Sequence, residues 1–128
     1  MKKEKVLVQC VVNGEEVAEY VDPRESLLDM LRNHLGLTSV KKGCEVGECG
    51  ACTVIIDGKT CKACVPDTDS LDGREVITVE GLTEWEEQVY TYAYGKAGAV
   101  QCGFCIPGMV MCTKALLDVN KTPSDDEI

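Results

Sequence analysis

Nine cysteines give this chain of 128 residues its most distinctive chemistry. They are Cys10, Cys44, Cys49, Cys52, Cys61, Cys64, Cys102, Cys105 and Cys112. Thiolates bind zinc or iron–sulfur clusters, and thiols in an oxidising compartment form disulfides. The odd count, the closely spaced pairs and a start that matches an export signal poorly all disfavour a disulfide framework. The cysteines therefore predict a metal or redox site.

Three of the cysteines have the spacing of plant-type ferredoxins, Cys44-x4-Cys49-x2-Cys52, with a fourth ligand expected further on. Glycines are interleaved with them, at Gly43, Gly47 and Gly50. Backbone N–H groups must approach the sulfurs of a cluster, and glycine permits this approach because it has no side chain to obstruct it. The pattern predicts a 2Fe–2S cluster in this loop, and the three glycines are its candidate cofactor-binding residues.

Spacing does not decide the fourth ligand. Cys61 and Cys64 both follow the loop, and an Asp57-Gly58 turn would fold a hairpin back so that either could reach it. Because the two cysteines are three positions apart, they would face opposite sides of a strand, and only one can easily point at the cluster.

A four-cysteine zinc ribbon is the alternative metal site. It would use two C-x2-C pairs, Cys49 with Cys52 and Cys61 with Cys64. The pairs are eight residues apart, which is shorter than the usual gap of about 15–20 residues. This interpretation also leaves Cys44 without a role.

A second cysteine motif, Cys102-Gly103-Phe104-Cys105, lies near the end of the chain. A thioredoxin-like redox pair would follow a strand in a βαβ unit, which the sequence does not predict here. Cys112 lies about two helical turns past Cys105. We interpret Cys112 and Cys10 as small buried apolar residues rather than ligands.

The elements around the first motif predict an α+β unit over residues 1–81. Strands are expected at 6–12, 17–21, 53–56, 59–63 and 75–79, with two-residue turns at Asn13-Gly14 and Asp57-Gly58. A helix is expected to begin after Ser26, to bury Leu27, Leu28, Leu31 and Leu35, and to end at Gly36.

Residues 82–128 predict a separate all-helical unit. Thr83 and Glu86 form a capping box, and apolar residues follow at helical spacing at Trp85, Val89, Tyr92 and Ala93. Gly95 and Gly98 are expected to break that helix. A second helix should begin around Pro107 and end near Asn120.

Composition excludes several functions. The chain has 13 Lys and Arg against 22 Asp and Glu, a formal net charge of −9, so most of its surface would repel nucleic acid. No apolar run approaches the roughly 18 residues that span a membrane. We expect a cytoplasmic protein.

Together the two motifs resemble those of the iron–sulfur subunit of molybdenum hydroxylases, the family of xanthine dehydrogenase, aldehyde oxidoreductase and carbon monoxide dehydrogenase. The resemblance rests on residues 43–53, on Cys64 after an eleven-residue gap from Cys52, and on residues 101–109. It extends over essentially the whole chain.

This resemblance implies a β-grasp ferredoxin-like domain that holds one 2Fe–2S cluster through Cys44, Cys49, Cys52 and Cys64, with Cys61 extra. It implies a helical domain with a second 2Fe–2S cluster, held by Cys102, Cys105 and a later C-x-C pair. Gln101 would lie near the molybdopterin. The C-x-C pair is absent, and Ser124 and Glu127 have capping-box spacing at the end of the chain. We therefore expect the helical domain to be incomplete: either the native polypeptide is longer, or the second cluster is missing or completed by another chain.

The function implied is electron transfer without substrate chemistry on this chain. Electrons would pass from a molybdopterin-binding large subunit through the second and then the first cluster to an FAD-binding medium subunit. Two alternatives remain open, a stand-alone 2Fe–2S ferredoxin and a zinc-ribbon interaction module. The substrate cannot be inferred from this chain, because the substrate pocket would lie on the partner.

Overall fold

The first hairpin opens a mixed five-stranded sheet. The computed structural model describes residues 5–44, 48–66, 71–98, 104–120 and 122–124. Strand β1 (Val6–Val12) pairs antiparallel with β2 (Glu15–Val21). Asn13 and Gly14 turn between them with φ of 53° and 82°, the left-handed conformations that suit a two-residue hairpin turn. The predicted turn is confirmed, and β2 begins two residues earlier than expected.

A second hairpin and a central strand complete the sheet. Strands β3 (Thr53–Ile56) and β4 (Lys59–Lys62) pair antiparallel around the Asp57-Gly58 turn. Strand β5 (Glu75–Ile77) runs parallel to β1 and antiparallel to β3. The strand order is β2-β1-β5-β3-β4, and the α+β prediction is confirmed.

One face of the sheet is covered by a short helical segment. Helix α1 (Leu27–Asp29) continues directly as a π-helical segment (Met30–His34). As predicted, Ser26 caps it, since the Ser26 Oγ accepts a hydrogen bond of 3.2 Å from the Asp29 N–H. The segment buries Leu27, Leu28, Met30 and Leu31 in a core with Val8, Val54 and Val76. Met30 is fully buried and Leu35 only partly, because the π turn rotates the apolar face relative to a regular helix.

The opposite face of the sheet is covered by α3 (Ile106–Val119), which packs against β3 and β4. Side chains alternate along a strand, so Ile55 points away from the core that contains Val54, and Ile55 is itself buried. Val110 and Met111 of α3 are buried. Pro107 lies in the first turn of α3 and Asn120 caps its end, as predicted.

Helix α2 (Glu84–Lys96) lies on α3 and buries none of its own residues. Its capping box between Thr83 and Glu86 is present as predicted. Gly95 lies inside α2 rather than breaking it, and only Gly98, with φ of 65°, follows its end. Among the described residues, no helix is both long and apolar enough to cross a membrane. The boundary near residue 81 between the two units stays a prediction.

Candidate metal centre

Two of the predicted ligand sulfurs accept backbone hydrogen bonds from their own loop. The Cys44 Sγ accepts from the N–H groups of Glu48 and Cys49, each at 3.2 Å. The Cys49 Sγ accepts from the N–H groups of Cys44 at 3.4 Å and Ala51 at 3.5 Å. Several N–H dipoles turned toward sulfur stabilise negative charge there. The loop is therefore suited to holding thiolates.

Glycines allow the loop to wrap around these sulfurs. A Cβ at Gly43 would lie 2.6 Å from the Cys49 Sγ, so no other residue fits without moving that sulfur. Gly50 has a φ of 75°, and its carbonyl accepts hydrogen bonds from the Thr53 N–H at 3.1 Å and the Thr53 hydroxyl at 2.7 Å. The third candidate, Gly47, lies outside the described residues.

The β3–β4 hairpin returns Cys64 to the loop. Cys52 is buried just before β3, and its carbonyl accepts a 3.1 Å hydrogen bond from the Ala63 N–H. Cys64 follows immediately after this contact, beyond the end of β4, and packs against the core. The hairpin therefore brings the predicted fourth ligand back beside Cys52.

Cys61 has different surroundings. It pairs with Val54 within the hairpin and lines a shallow groove with Ile56, Leu71 and Arg74. Burial, and secondarily the nearby Cys64, raise the pKa of the Cys61 thiol. The return of Cys64 beside Cys52 supports Cys64 over Cys61, and the assignment of the fourth ligand stays a prediction.

The cysteine side chains that the structure describes do not form one complete ligand set. Within the described ranges, no three His, Cys, Asp or Glu side chains adopt a metal-holding arrangement. Residues 45–47, at the centre of the loop, lie outside those ranges. The chemistry of the loop fits an iron–sulfur cluster in three respects. It offers sulfur ligands, it directs backbone N–H groups at two of those sulfurs, and it keeps space open at Gly43 beside the Cys49 Sγ.

The described end of the second motif, Phe104 and Cys105, leads into α3, and the start of α3 lies against the first loop. Cys105 is exposed at the N-terminal cap of α3. The Phe104 ring comes within 3.6 Å of the position that a Gly43 Cβ would take. A Cβ on Gly108 would meet the Gly50 carbonyl and lie 3.3 Å from the Ala51 Cα. The start of α3 therefore rests directly on the cluster loop, while Gln101 and Cys102 lie outside the described residues.

The other two cysteines differ from each other. Cys10 is buried on β1, as predicted, and burial together with the neighbouring Asp72 raises the pKa of its thiol. Cys112 is exposed on α3, so the prediction of a buried apolar residue is wrong there. The helix turns Val110 and Met111 toward the sheet and Cys112 away from it.

Sequence reasoning missed the charged residues that hold the segment before the loop. The Arg32 guanidinium donates to the carbonyls of Thr38 and Val40, both at 3.0 Å. Glu80 accepts hydrogen bonds from both the N–H and the hydroxyl of Ser39. The Arg32 contacts go to backbone carbonyls, and the Glu80 contacts cross 41 residues of sequence. Neither kind of contact is indicated by a local spacing of residue types.

The comparisons with known proteins agree with this geometry. Residues 10–83 match the family model of the 2Fe-2S iron-sulfur cluster binding domain, and residues 78–128 match that of the [2Fe-2S] binding domain. The chain is 45% identical to the nicotinate dehydrogenase small FeS subunit of Eubacterium barkeri over 97% of its own length and 80% of that protein. It is 45% identical to the aldehyde oxidoreductase of Megalodesulfovibrio gigas, covering 91% of this chain but 13% of that much longer protein.

A solved structure resembles the whole fold. The chain superposes on the crystal structure of quinoline 2-oxidoreductase from Pseudomonas putida with a TM-score of 0.88 and 36% identity. The match covers 98% of this chain and 78% of that one. Sequence and fold therefore point to the same group of proteins.

Proposed function

The chain belongs to the family of iron–sulfur subunits of molybdenum hydroxylases, and we propose that it carries electrons from a molybdopterin-binding large subunit to an FAD-binding medium subunit. The observation that carries this proposal is the contact between the two cysteine motifs, with Phe104 beside Gly43 and Gly108 on the backbone of Gly50. Electron transfer between two centres requires that they be held close together, and this contact holds their loops together.

The predicted cysteine ligands belong to two iron–sulfur centres. Cys44, Cys49, Cys52 and Cys64 hold the first 2Fe–2S cluster, while Cys102 and Cys105 supply two ligands of the second. Each 2Fe–2S cluster, when bound, accepts and releases one electron at a time. Gln101, next to Cys102 in the sequence, lies outside the described residues, and its place near the molybdopterin stays a prediction.

The chain itself supplies geometry and electrostatics. The N–H groups of Glu48, Cys49 and Ala51 stabilise negative charge on sulfur and so adjust the reduction potential of the first centre. Burial of Cys52 limits the access of water on the core side. These residues bind and tune, and the substrate chemistry belongs to the partner.

The substrate is set by the partner rather than by this chain. The relatives named above act on nicotinate, aldehydes or quinoline by their names, and all carry a similar iron–sulfur unit. We place the protein in the cytoplasm, where thiols remain reduced and available to bind clusters.

The test is anaerobic purification of the native complex, followed by assay of iron and acid-labile sulfide and by electron paramagnetic resonance (EPR) before and after addition of the partner's substrate. We expect two distinct 2Fe–2S signals that appear as substrate is oxidised. Zinc without iron would refute the proposal and favour the zinc ribbon. A single cluster that substrate does not reduce would instead favour a stand-alone ferredoxin.

A further inference from the structure

The short segment that leads into the cluster loop, residues 38–40, is held by two side chains of opposite charge. The Arg32 guanidinium donates to the carbonyls of Thr38 and Val40, both at 3.0 Å. On the other side, the two carboxylate oxygens of Glu80 accept from the N–H and the hydroxyl of Ser39. Both sets of hydrogen bonds involve an ionised side chain, and such bonds are stronger than those between neutral groups.

Glu80 is itself fixed by the first hairpin. The Thr78 hydroxyl donates to the Glu80 carboxylate at 2.8 Å and accepts from the Asn13 side-chain amide at 2.9 Å. The Thr78 N–H donates to the Asn13 Oδ1 at 2.8 Å. Burial raises the pKa of Glu80, but the hydrogen bonds from Ser39 and Thr78 outweigh it and hold the pKa below its usual range. The carboxylate therefore stays ionised although it is partly buried.

The same residues form the joint between the two units. Glu80 lies in a single 3-10 turn (Val79–Gly81), and Thr83, three residues further on, caps α2. A Cβ on Gly81 would lie 2.6 Å from the Asn13 Cγ, so the joint is packed tightly on the β1–β2 turn.

We propose that Arg32 and Glu80 are positioning residues that clamp residues 38–40 and so fix the cluster loop against the start of α3. Ser39 lies five residues before Cys44, and Lys41 adds a 3.2 Å hydrogen bond from its N–H to the Ala51 carbonyl across the loop. Gly43, which follows, packs near both the Cys49 Sγ and Phe104. The clamp therefore sets how the first centre faces the second motif, and this inference rests on the proposed function.

Glu80→Gln tests the clamp with little change in shape. Ser39 presents two donors to two carboxylate oxygens, whereas glutamine offers only one oxygen, so one donor would face an NH2 group. In the native complex, we expect a chelator to remove the first cluster about fivefold faster than in the wild type. We also expect the EPR signal and midpoint potential of that one cluster to change while those of the other stay constant. Arg32→Gln should act in the same direction.

Matched variants separate the clamp from loss of charge alone. Glu87→Gln on the exposed start of α2 and Arg24→Gln, which pairs only on the surface with Asp22, should leave both clusters as in the wild type. If Glu80→Gln does not fold, Ser39→Ala removes only the hydroxyl bond and should give a smaller change of the same kind. Wild-type release rates and spectra, or equal acceleration for both clusters, would overturn the clamp. A wild-type complex without iron would instead overturn the proposed function.

Discussion

The two units of this chain are held in place by different kinds of contact. The sheet and its π-helical segment enclose an apolar core in which Leu27, Leu31 and Val54 are completely buried. Helix α2, by contrast, leaves Trp85 71% exposed and Tyr92 69% exposed. It is attached to α3 by polar contacts, a 2.6 Å ion pair between Lys114 and Glu86 and a 3.0 Å hydrogen bond between Tyr94 and Thr113.

Helix α3 belongs structurally with the sheet although it follows the second cysteine motif. Its buried residues Gly108, Val110 and Met111 lie on the side that packs against β3 and the cluster loop. The first unit therefore positions Cys105, and α2 contributes little to that placement. The difference shows that a boundary drawn along the sequence need not coincide with the packing of the elements.

Leu31→Ala should produce the largest loss of stability. We expect the free energy of unfolding to fall by about 2–5 kcal/mol, because a large side chain leaves a cavity in the core. Trp85→Ala removes a larger side chain from α2 but should cost only about 0.5 kcal/mol, because most of that side chain is already solvated. Denaturant unfolding followed by circular dichroism measures both. Equal losses would contradict the contrast between the two units.

Two glycines, one in each helix, should respond to alanine with opposite signs. Gly108→Ala should destabilise by about 1–3 kcal/mol, because its Cβ would press on the backbone of Gly50 and Ala51. Gly95→Ala, with nothing within 4 Å of the new Cβ, should stabilise α2 by about 0.5–1 kcal/mol, since alanine favours helix. Thermal unfolding of the two variants tests the pair, and a stabilising Gly108→Ala would show that α3 does not rest on the loop.

The ion pair between α2 and α3 should give the smallest effect. In a double-mutant cycle of Lys114→Met and Glu86→Gln, we expect a coupling free energy of about 0.5–1 kcal/mol at neutral pH. Burial alone would raise the pKa of Glu86. The hydrogen bonds with Lys114 and Thr83 outweigh burial, so the pKa of Glu86 is lowered from its usual value. Burial alone would lower the pKa of Lys114. The interactions with Glu86 and Asp118 outweigh burial, so the pKa of Lys114 is raised from its usual value.

These shifts fix the pH dependence of that coupling. The Glu86 contribution is present above its unfolded pKa of about 4.3 and is lost as the pH falls through the folded value. The Lys114 contribution is present below its unfolded pKa of about 10.4 and is lost as the pH rises through the folded value. The coupling should therefore be constant between about pH 6 and 9. A coupling that disappears between pH 6 and 7 would assign it to other groups.

Local patterns in the sequence predicted the turns and caps correctly. The Asn13-Gly14 and Asp57-Gly58 turns have the expected positive φ angles, and Ser26 and Thr83 cap their helices. These features depend on residues that are adjacent or one helical turn apart, so the sequence specifies them directly. The cysteine spacing likewise indicated the 2Fe-2S binding domain that the family model matches, whereas the individual ligands stay a prediction.

Features that depend on how the elements pack together could not be predicted from the sequence. Helical spacing on α2 placed Trp85 and Tyr92 on one face, but both are exposed, because periodicity shows which residues share a face and not what covers that face. Cys112 was misassigned for the same reason. The contact of Glu80 with Ser39 spans 41 residues of sequence, Arg32 donates to backbone carbonyls that carry no sequence signal, and neither residue belongs to a motif.

The most direct test of the four-thiolate first centre compares Cys61→Ser with Cys64→Ser in the native complex. Iron and acid-labile sulfide per chain are measured for both variants beside the wild type after anaerobic purification. The geometry of the hairpin predicts wild-type content for Cys61→Ser and a loss of about two irons and two sulfides per chain for Cys64→Ser. Loss in Cys61→Ser with full content in Cys64→Ser would contradict the assignment of Cys64 as the fourth ligand.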